Sequence, residues 1–395
     1  MELDPQLLQI ATPTQKRYYE AIKQHGSNRK AAAALGCNSS TIDRSIASLR
    51  KEAARRGYSP QHDQTHIVPE TQYVKGVSTY YNQDGQVSGQ WVKTSAKQEE
   101  LHQSMLEFVE GLKDEVPRQN PVSPPKGKKN ADLLSAILVG DAHIGMRAWG
   151  KETLDGDFDT DIAVQQVQAA SEHLIDAAPE AETGLFVNVG DWFHANDPSN
   201  VTPGGGNRLD VDGRHFRNIR MGAMCQRHCI DLMLRKHKKV VVINAKGNHD
   251  SEAAIYLNML MQFSYEKEPR VEVQDTIGDF NYYRFGKCLI QVNHGDSNKV
   301  DKIAALMAKH RREDWGECIW KYCWIGHIHH KQSYDITELD VEVEAFRNLA
   351  PSDAWHAEHG YQSPKAMTQK TLHKEFGVIS EMSVNTKMLE AKWKR

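Results

Sequence analysis

The sequence is poor in cysteine, and its few cysteines are not spaced for a disulfide framework or a metal clip. Six occur in 395 residues, namely Cys37, Cys225, Cys229, Cys288, Cys318 and Cys323. None forms a Cys-x-x-Cys pair, and the closest two, Cys225 and Cys229, lie in a helical pattern. The pattern excludes a small disulfide-stapled domain and a cysteine zinc site, so we expect a reduced, cytoplasmic compartment.

Long hydrophobic runs and a large net charge are also lacking. No stretch approaches the roughly 18 apolar residues of a spanning helix, and the first residues lack the basic start and apolar core of a secretory signal. We therefore expect a soluble protein with no membrane association. Lys and Arg number 49 against 52 Asp and Glu, a net charge of −3, so only local patches could indicate nucleic acid. The length allows two or three domains, and 39% hydrophobic residues support a packed core.

Five apolar runs in order along the chain end in aspartate, asparagine or histidine. The motifs at their ends are Asp141-Ala142-His143, Gly190-Asp191-Trp192-Phe193-His194, Gly247-Asn248-His249-Asp250, His294-Gly295 and Gly326-His327-Ile328-His329. Each run has the short, β-branched or aromatic character of a buried strand. Because ligands of open α/β sheets collect at the carboxyl ends of the strands, we expect these motifs to meet at one edge.

The residue types in these motifs are those that hold metal ions. Carboxylate, neutral imidazole and amide oxygen bind Mn, Fe or Zn, and one shared carboxylate can bridge two ions about 3.5–4 Å apart, a separation suited to phosphoryl chemistry. Any one of these residues alone is more often a turn aspartate or a core histidine, but their joint occurrence favours a metal site. The seven ligand candidates are Asp141, His143, Asp191, Asn248, His294, His327 and His329.

The order of these motifs resembles the calcineurin-like metallophosphoesterases over roughly residues 133–335. Within that superfamily, Asp141-Ala142-His143-Ile144-Gly145 and the Gly190 to His194 motif followed by Asn196-Asp197-Pro198-Ser199 are similar to the SbcD-type DNA-repair nucleases. Protein Ser/Thr phosphatases have Gly directly after the first His and Asp-Arg-Gly after the second motif. Ile144 and Ala195-Asn196 stand in those places here, which argues against a protein phosphatase.

The resemblance implies two divalent metal ions, with Mn expected and Fe, Zn or Mg as alternatives. The implied ligands of one ion are Asp141, His143, Asp191 and His329. Those of the other are Asp191, Asn248, His294 and His327, with Asp191 as the bridge. His249 would face the scissile phosphate and protonate the leaving oxygen or stabilise the developing charge. His194 would contact the substrate phosphate, and Asp250 would orient His249 or its loop.

Residues 12–57 predict a small basic unit of three helices in a helix-turn-helix arrangement. The predicted helices run from Gln15 to about His25 with Thr14 as the cap, from Arg29 to Leu35, and from Thr41 to about Arg56. Met1 to Gly57 contain ten Lys or Arg against five Asp or Glu, a difference of +5. The DNA-binding candidates at the start of the third helix are Ser39, Ser40, Thr41 and Arg44. The alternative is a protein-binding module with a solvated basic face.

The stretch resembles helix-turn-helix units of phage and transposase-like proteins, which suggests a bacterial or phage-infected host cell. The region that follows predicts a β-hairpin, Tyr73 to Tyr81 and Gln86 to Thr94 around Asp84-Gly85, and then a helix from about Lys97 to Glu115 that could dimerise or dock. Residues 117–130, rich in Pro and Lys, indicate a solvated linker. The long insertion at 196–213, rich in Gly, Asn and Asp, is expected to be functional because it adjoins Asp191.

We therefore predict an α/β protein in which two packed mixed β-sheets are flanked by helices, the four-layer sandwich that the resemblance implies. The predicted domains are a helix-turn-helix at 1–60, a hairpin and helix connector at 61–116, the linker at 117–130 and a metallophosphoesterase domain at 131–395. Trp355, His356, His359, Tyr361 and His373 are interpreted as a lid or rim of the site.

The expected function is metal-dependent cleavage of DNA phosphodiesters, targeted by the helix-turn-helix. One alternative is a phosphatase or cyclic-nucleotide phosphodiesterase, against which the attached helix-turn-helix argues. The other is a DNA-binding regulator with a vestigial esterase, against which the complete ligand set argues. DNA is the expected partner. A homodimer and an ATPase partner stay open.

Overall fold

The structure is a computed structural model in which two compact units can be described. The described residues are 4–60, 64–65, 67–68, 72–81, 87–96, 107, 110–111, 116–153, 155–352 and 363–393. The two units comprise Met1–Glu107 and Phe108–Arg395. No helix among these residues is long and apolar enough to cross a membrane.

Three helices form the centre of the first unit, as predicted. After a short 3-10 helix at Pro5–Gln9, α1 spans Pro13–His25, α2 Asn28–Leu35 and α3 Ser39–Arg55. Their apolar faces share one core, since Ile22 of α1, Ala31 of α2 and Ile42 of α3 are all buried together. The predicted cap of α1 is wrong by two residues. Thr12 is the cap, because its hydroxyl accepts from the Gln15 N–H while the Gln15 side chain accepts from the Thr12 N–H.

The first unit also contains two antiparallel strand pairs. The short strands β1 and β2 span Tyr58–Ser59 and Gln64–Thr65, and the predicted hairpin is formed by β3, Gln72–Tyr81, and β4, Val87–Ala96. The predicted turn at Asp84-Gly85 lies outside the described residues. So does the predicted helix from 97 to 115, apart from residues 107, 110 and 111.

Two mixed sheets form the second unit. The six-stranded sheet has the order β15-β14-β5-β6-β7-β8, with β5 at Asn130–Val139, β6 at Ala181–Asn188, β7 at Lys239–Asn244, β8 at Val271–Val273, β14 at Ala366–His373 and β15 at Gly377–Asn385. Strands β5 to β8 are parallel, whereas β14 and β15 are antiparallel to their neighbours. The five-stranded sheet has the order β12-β13-β11-β10-β9, with β9 at Asn281–Phe285, β10 at Cys288–Val292, β11 at Trp320–Ile325, β12 at Gln332–Ile336 and β13 at Val341–Ala345.

Side chains alternate along the strands between the interface of the two sheets and the outer, helix-covered face. Leu138 of β5, Ile290 of β10 and Trp324 of β11 belong to one buried cluster between the sheets. The intervening residues, such as Leu289 and Cys323, face outward and pack under a helix. Both faces of these strands are buried, which explains why they appear in the sequence as unbroken apolar runs.

Helices cover the outer faces of both sheets, which confirms the predicted arrangement of two packed mixed sheets flanked by helices. Among the described residues, the helices of this unit include α4 Gly150–Thr153, α5 Thr160–Ala177, α6 His215–Lys236, α7 Ala253–Ser264, α8 Val300–His310, α9 Arg312–Glu317 and α10 Thr386–Trp393. Ile303 and Met307 of α8 pack on the outer face of the five-stranded sheet. Helices α5, α6 and α7 lie along the six-stranded sheet.

The segment predicted as a linker is held against the second unit near its start. The Gln119 N–H donates to the Ser264 carbonyl at 2.7 Å, and the Val122 N–H donates to Glu268 at 2.6 Å. Arg227 of α6 adds a hydrogen bond to the Gln119 side chain at 3.0 Å. These bonds hold residues 119–122 beside α6 and the end of α7, ahead of the start of β5.

The interpretation of the C-terminal region as a lid is wrong for His373. This residue ends β14 and pairs with Leu133 near the start of β5, whereas the motif residues follow the carboxyl end of β5. Its ring stacks on Phe376 in the turn between β14 and β15. Trp355, His356, His359 and Tyr361 lie outside the described residues.

A buried histidine gives the second unit a predictable response to acid. His237 is 0% exposed, its Nδ1–H donates to the Ala181 carbonyl at 2.9 Å, and burial lowers its pKa from 6.5 to about 4. As the pH falls below 6.5, the unfolded chain takes up a proton that the folded chain does not. We therefore expect the free energy of unfolding to fall by up to about 3 kcal/mol between pH 6.5 and 4 on account of this residue.

Urea unfolding of His237→Asn at a series of pH values checks this expectation. Asparagine keeps a donor for the Ala181 carbonyl but cannot titrate, so the variant should lose that part of the pH dependence. His228→Asn changes an exposed histidine of α6, the helix that His237 caps, and should keep the pH dependence. Equal slopes for wild type and His237→Asn would contradict the assignment.

Candidate metal centre

The five motifs meet at one edge of the two packed sheets. Asp141 and His143 follow β5, Asp191 follows β6, and Asn248 follows β7 in the six-stranded sheet. His294 follows β10, and His327 and His329 follow β11 in the five-stranded sheet. All five strands run parallel to a neighbour within their sheets. The convergence predicted from the strand ends is therefore present in the fold.

One group of donors combines the first and last motifs. The donor atoms of Asp141, His143 and His329 all lie within 4.8 Å of one another. The Nε2 atoms of His143 and His329 are 3.2 Å apart, and Nε2 of His329 is 3.6 Å from Oδ1 of Asp141. Two ligands about 2.1 Å from the same ion, at angles between tetrahedral and octahedral, would lie about 3.0–3.4 Å apart, so the imidazole spacing fits a shared ion.

A second group joins the middle three motifs. Nε2 of His294 lies 3.0 Å from Oδ2 of Asp191 and 3.0 Å from Oδ1 of Asn248. The Nδ1–H of His294 donates to the Val189 carbonyl at 3.1 Å, so Nε2 is the nitrogen turned towards these oxygens. The two oxygens and Nε2 have the spacing of ligands around one ion.

Asp191 and His327 complete the arrangement. Oδ1 of Asp191 accepts the His249 N–H at 2.8 Å while Oδ2 approaches His294, so the carboxylate faces both neighbouring loops. The His327 N–H donates to both oxygens of Asp141 at 3.1 and 3.2 Å, and its exposed ring lies edge-on to His294 with centroids 5.1 Å apart. The structure thus brings all seven ligand candidates together, while their role as ligands stays a prediction.

A proton on His294 balances one carboxylate charge within the cluster. Burial opposes a charge on His294, yet the carboxylate of Asp191 outweighs it and raises the pKa of His294 to about 10. Burial likewise opposes ionisation of Asp191, but the His294 imidazole lowers the pKa of that carboxyl well below its usual range. Burial and neighbouring histidines hold the pKa of His143 well below its usual range, so its ring is neutral. The negative cluster is therefore one that a cation can enter in place of a proton.

Backbone strain is concentrated at the same residues. Seven described residues other than glycine have positive φ, and five of them are ligand candidates: Asp141 (36°), His143 (45°), Asp191 (51°), His327 (70°) and His329 (56°). This region of conformational space is costly for residues with a Cβ atom. Strain of this kind is tolerated where the surrounding structure fixes side chains for a function.

Glycines let the loops approach one another closely enough to form the cluster. A Cβ atom on Gly247 would lie 2.0 Å from Oδ1 of Asp191, and one on Gly190 would lie 2.5 Å from Nδ1 of His294. Gly190 also has a φ of 104°, which disfavours any other residue. The glycines of these two motifs are thus required by the geometry of the donors beside them.

The three predicted catalytic residues surround Asp191. The Nδ1–H of His249 donates to the His194 carbonyl at 2.9 Å, which fixes the ring. The carboxylate of Asp250 accepts from the N–H of Phe193 at 3.0 Å and of Gly247 at 2.9 Å, and burial together with the Asp191 charge raises its pKa to about 7. Asp250 therefore bonds to both loops, while its role in orienting His249 or its loop stays a prediction.

The structure favours a different role for His194 from the predicted substrate contact. Its side chain is only 1% exposed and packs between His143, with ring centroids 5.2 Å apart, and His249, also at 5.2 Å. Its backbone carbonyl, which no sequence pattern singles out, is the group that orients His249. Burial of the ring favours a positioning role for His194, and its contact with a substrate phosphate stays a prediction.

The insertion at 196–213 borders the cluster. A cavity of about 490 Å³ is lined on one side by Asp191, Asn248, His249, His327 and His329. On the other side it is lined by Thr202, Gly204, Gly205, Asn207, Arg208 and Leu209 of the insertion. A second cavity of about 280 Å³ shares Gly204 and Asn248 with the first. The insertion thus forms a wall of the space that a substrate would occupy.

The DNA-binding candidates lie together on the first unit. Ser40, Thr41 and Arg44 are exposed in the first two turns of α3, and Ser39 is half-buried. Arg44 donates from Nε to the Ser40 carbonyl at 3.2 Å, which places its guanidinium near the start of the helix. The inward residues of α3 are Ile42, Ile46 and Leu49, as the periodicity predicts.

Comparisons with known proteins find distant structural neighbours. No family model matches the chain, and no curated protein matches it. A predicted phosphoesterase from Streptococcus pneumoniae has 11% identity and a TM-score of 0.25, with 65% of this chain and 100% of that chain covered. Vps29 from Entamoeba histolytica matches in a single mutant, at 11% identity and a TM-score of 0.29, and in a zinc complex, at 10% and 0.26. Each match covers 64% of this chain and 98% of the Vps29 chain.

The two packed mixed sheets present a cluster of carboxylates, imidazoles and an amide at one edge. This donor set and its spacing support a metal-dependent phosphoesterase.

Proposed function

We propose that this protein is a metal-dependent phosphodiesterase that cleaves DNA and is directed to it by its N-terminal helices. The observation that carries the proposal is the convergence of seven oxygen and nitrogen donors beside a cavity bordered by the long insertion.

Two groups of donors fit two ions. Asp141, His143 and His329 would hold one, and Asn248, His294 and His327 the other, with Asp191 between the groups. When bound, two divalent ions supply a water of lowered pKa and neutralise the phosphate. Oxygen and imidazole ligands without thiolate suit Mn, Fe or Zn, and we favour Mn.

His249 is the residue best placed to assist bond breaking. Its Nδ1–H is committed to the His194 carbonyl, so Nε2 is the nitrogen available to a substrate in the cavity. As an imidazolium, His249 can give its Nε2 proton to the leaving oxygen of the phosphodiester. Asp250 and the His194 carbonyl keep the loop and ring in place without touching the substrate.

The first unit supports DNA as the substrate rather than a small phosphodiester. The helical part of this unit, residues 1–57, has a difference of +5 between basic and acidic residues, in contrast to the net charge of −3 for the whole chain. Exposed Ser40, Thr41 and Arg44 at the start of α3 are suited to phosphates or base edges. A catalytic site that acts on a mobile small molecule would gain nothing from such a surface.

Cleavage assays with the full chain test the nuclease. End-labelled single- and double-stranded DNA, linear and circular, would be incubated with Mn²⁺ beside a chromogenic phosphodiester. Loss of labelled DNA that depends on the metal supports the proposal, and the circular substrates separate internal cuts from end-dependent ones. Turnover of the small ester with intact DNA would indicate a phosphatase or small-molecule phosphodiesterase. Inertness towards both, with DNA still bound, would indicate a regulator.

Targeting by α3 predicts a measurable loss of affinity in Arg44→Gln. We expect binding to duplex DNA to weaken about tenfold and the slope of log affinity against log salt to fall by about 1, because one phosphate contact is lost. Fluorescence anisotropy over a salt series measures both. Arg17→Gln removes an exposed arginine from α1 and should have a smaller effect. Equal losses in the two variants would point to a diffuse basic field instead of recognition by α3.

A further inference from the structure

The central part of the insertion is a small hairpin. Val201 and Arg208 form an antiparallel bridge, the Thr202 N–H donates to the Asn207 carbonyl at 2.9 Å, and the Leu209 N–H donates to the Asn200 carbonyl at 3.0 Å. The Gly206 N–H closes the tip by donating to the Thr202 carbonyl at 2.8 Å. We call residues 200–209 the insertion hairpin. Its backbone bonds give it a defined shape, which an open loop of the same composition would lack.

The insertion is fixed to the loop that carries the first motif. The Arg147 N–H donates to the Asp210 carbonyl at 2.9 Å, and the Asp212 N–H donates to the Gly145 carbonyl at 2.8 Å. Met146 and Val211 form an antiparallel bridge between these bonds. Since Gly145 is two residues from His143, the insertion hairpin is held at a set position relative to the donors.

One cation of the insertion hairpin borders the main cavity. Arg208 is the one Lys or Arg among the described residues that line the cavity of about 490 Å³. Within the described chain no carboxylate forms an ion pair with it, and its side chain is exposed. Lys246, which lines the neighbouring cavity, is instead paired with Asp279 at 3.0 Å. Arg208 is therefore the cation at this site that is available to an anion.

The size of the cavity indicates which anion could contact Arg208. A volume of 490 Å³ equals a cube about 8 Å on a side, which is too small for a B-DNA duplex, since the major groove alone is ~12 Å wide. The space suits one strand, with the scissile phosphate at the donors and the next phosphate near the opposite wall. The ions would neutralise the scissile phosphate, so the neighbouring phosphate is the charge that still needs a partner.

We infer that Arg208 binds the phosphate next to the scissile one, which makes the insertion hairpin the element that favours a polynucleotide strand over an isolated phosphodiester. Arg208 is a positioning residue, since it contacts the strand outside the bond that breaks. The inference rests on the proposed function, and it adds the part of the substrate that the cavity recognises. It also gives the long insertion a role that the donors alone do not require.

A substrate with one neutral linkage tests the inference. The assay uses 5′-labelled trithymidylate with two phosphodiesters, and two analogues in which either the first or the second linkage is an uncharged methylphosphonate. For wild type we expect one of the analogues to be cleaved with about tenfold lower kcat/KM than the same bond in the parent, mainly through KM. In Arg208→Gln that penalty should disappear, and Arg208→Lys should restore part of it.

Matched variants separate this result from a general loss of charge. Arg214→Gln removes an exposed arginine that does not line the cavity, and it should keep the wild-type penalty. Binding of Mn²⁺, followed by calorimetry, should be equal in wild type, Arg208→Gln and Arg214→Gln.

The possible failures are distinguishable. If Arg208→Gln still cleaves trithymidylate and shows the full wild-type decrease in kcat/KM on the analogue, the inference is overturned while the proposed nuclease function stands. The same holds if neither analogue is penalised in wild type. If Mn²⁺ binds but neither trithymidylate nor longer DNA is cleaved, the proposed function fails and the inference fails with it.

Discussion

Replacing Asp191 by asparagine is expected to lower kcat for Mn²⁺-dependent DNA cleavage by about 1000-fold or more. Residues that support metal ligands from outside typically contribute 10–100-fold, and a carboxylate shared by two ions should exceed that. Asp191 is 1% exposed, its Oδ2 is 3.0 Å from Nε2 of His294, and its Oδ1 accepts the His249 N–H at 2.8 Å. Asparagine has the same shape and can keep one oxygen there, so the main change is the loss of negative charge between the two groups of donors.

Metal stoichiometry decides whether the loss has the expected cause. Calorimetric titration with Mn²⁺ should show fewer than two ions bound to Asp191→Asn, or much weaker binding of both. Asp210→Asn is the matched control, since Asp210 is an exposed aspartate of the insertion that does not line the cavity. If Asp191→Asn bound two ions tightly and kept a tenth of the wild-type rate, the bridging role would be untenable.

The convergence of the ligand candidates could be predicted because each motif is local. A buried strand followed by Asp191 or by His327 fixes where the side chain emerges, and parallel strands bring their carboxyl ends to one edge. The motifs also contain the glycines, but the sequence does not show why glycine is needed at those positions. Only the structure shows that Gly247 must lack a Cβ atom because Asp191 occupies that space.

Features that depend on distant parts of the chain could not be predicted in the same way. Strand β14 lies beside β5, which is about 230 residues earlier in the chain, and β15 forms the edge of the sheet next to β14. The partly polar sequences of β14 and β15 give no apolar run. Gln369 and Ser135 even hydrogen-bond at 3.1 Å between β14 and β5. The carbonyl of His194 that orients His249 is likewise invisible in a sequence, because every residue has a carbonyl group.

The N-cap of α1 was predicted wrongly because two threonines near its start could each serve as the cap. Thr12 and Thr14 both precede Gln15, the predicted first residue of α1, and Thr14 is the nearer of the two. Proline is favoured in the first turn of a helix, so Pro13 extends α1 backwards and leaves Thr12 as the cap. The helix then includes Thr14, whose hydroxyl no longer lies at the boundary.

Replacing His249 by alanine is expected to lower kcat by about 10²–10⁴-fold while Mn²⁺ binding stays close to that of wild type. His249 lines the cavity beside the donors, and its Nδ1–H is held by the His194 carbonyl at 2.9 Å. If it protonates the leaving oxygen, its removal matters most when that oxygen is basic. The loss should therefore be large for DNA, whose leaving group is an alkoxide, and at least tenfold smaller for a p-nitrophenyl ester of thymidine monophosphate.

The two leaving groups distinguish proton donation from charge stabilisation. If the imidazolium of His249 stabilised charge on the phosphate, its removal would lower kcat by the same factor for both substrates. Equal losses would thus reject the general-acid role and assign His249 to the charge that develops on the phosphate. His330→Ala provides the matched control, because His330 is exposed, follows the last ligand candidate directly and has its Nδ1 2.7 Å from the Ile328 carbonyl. A loss in His330→Ala comparable to that in His249→Ala would mean that the loops, rather than the ring of His249, had been disturbed.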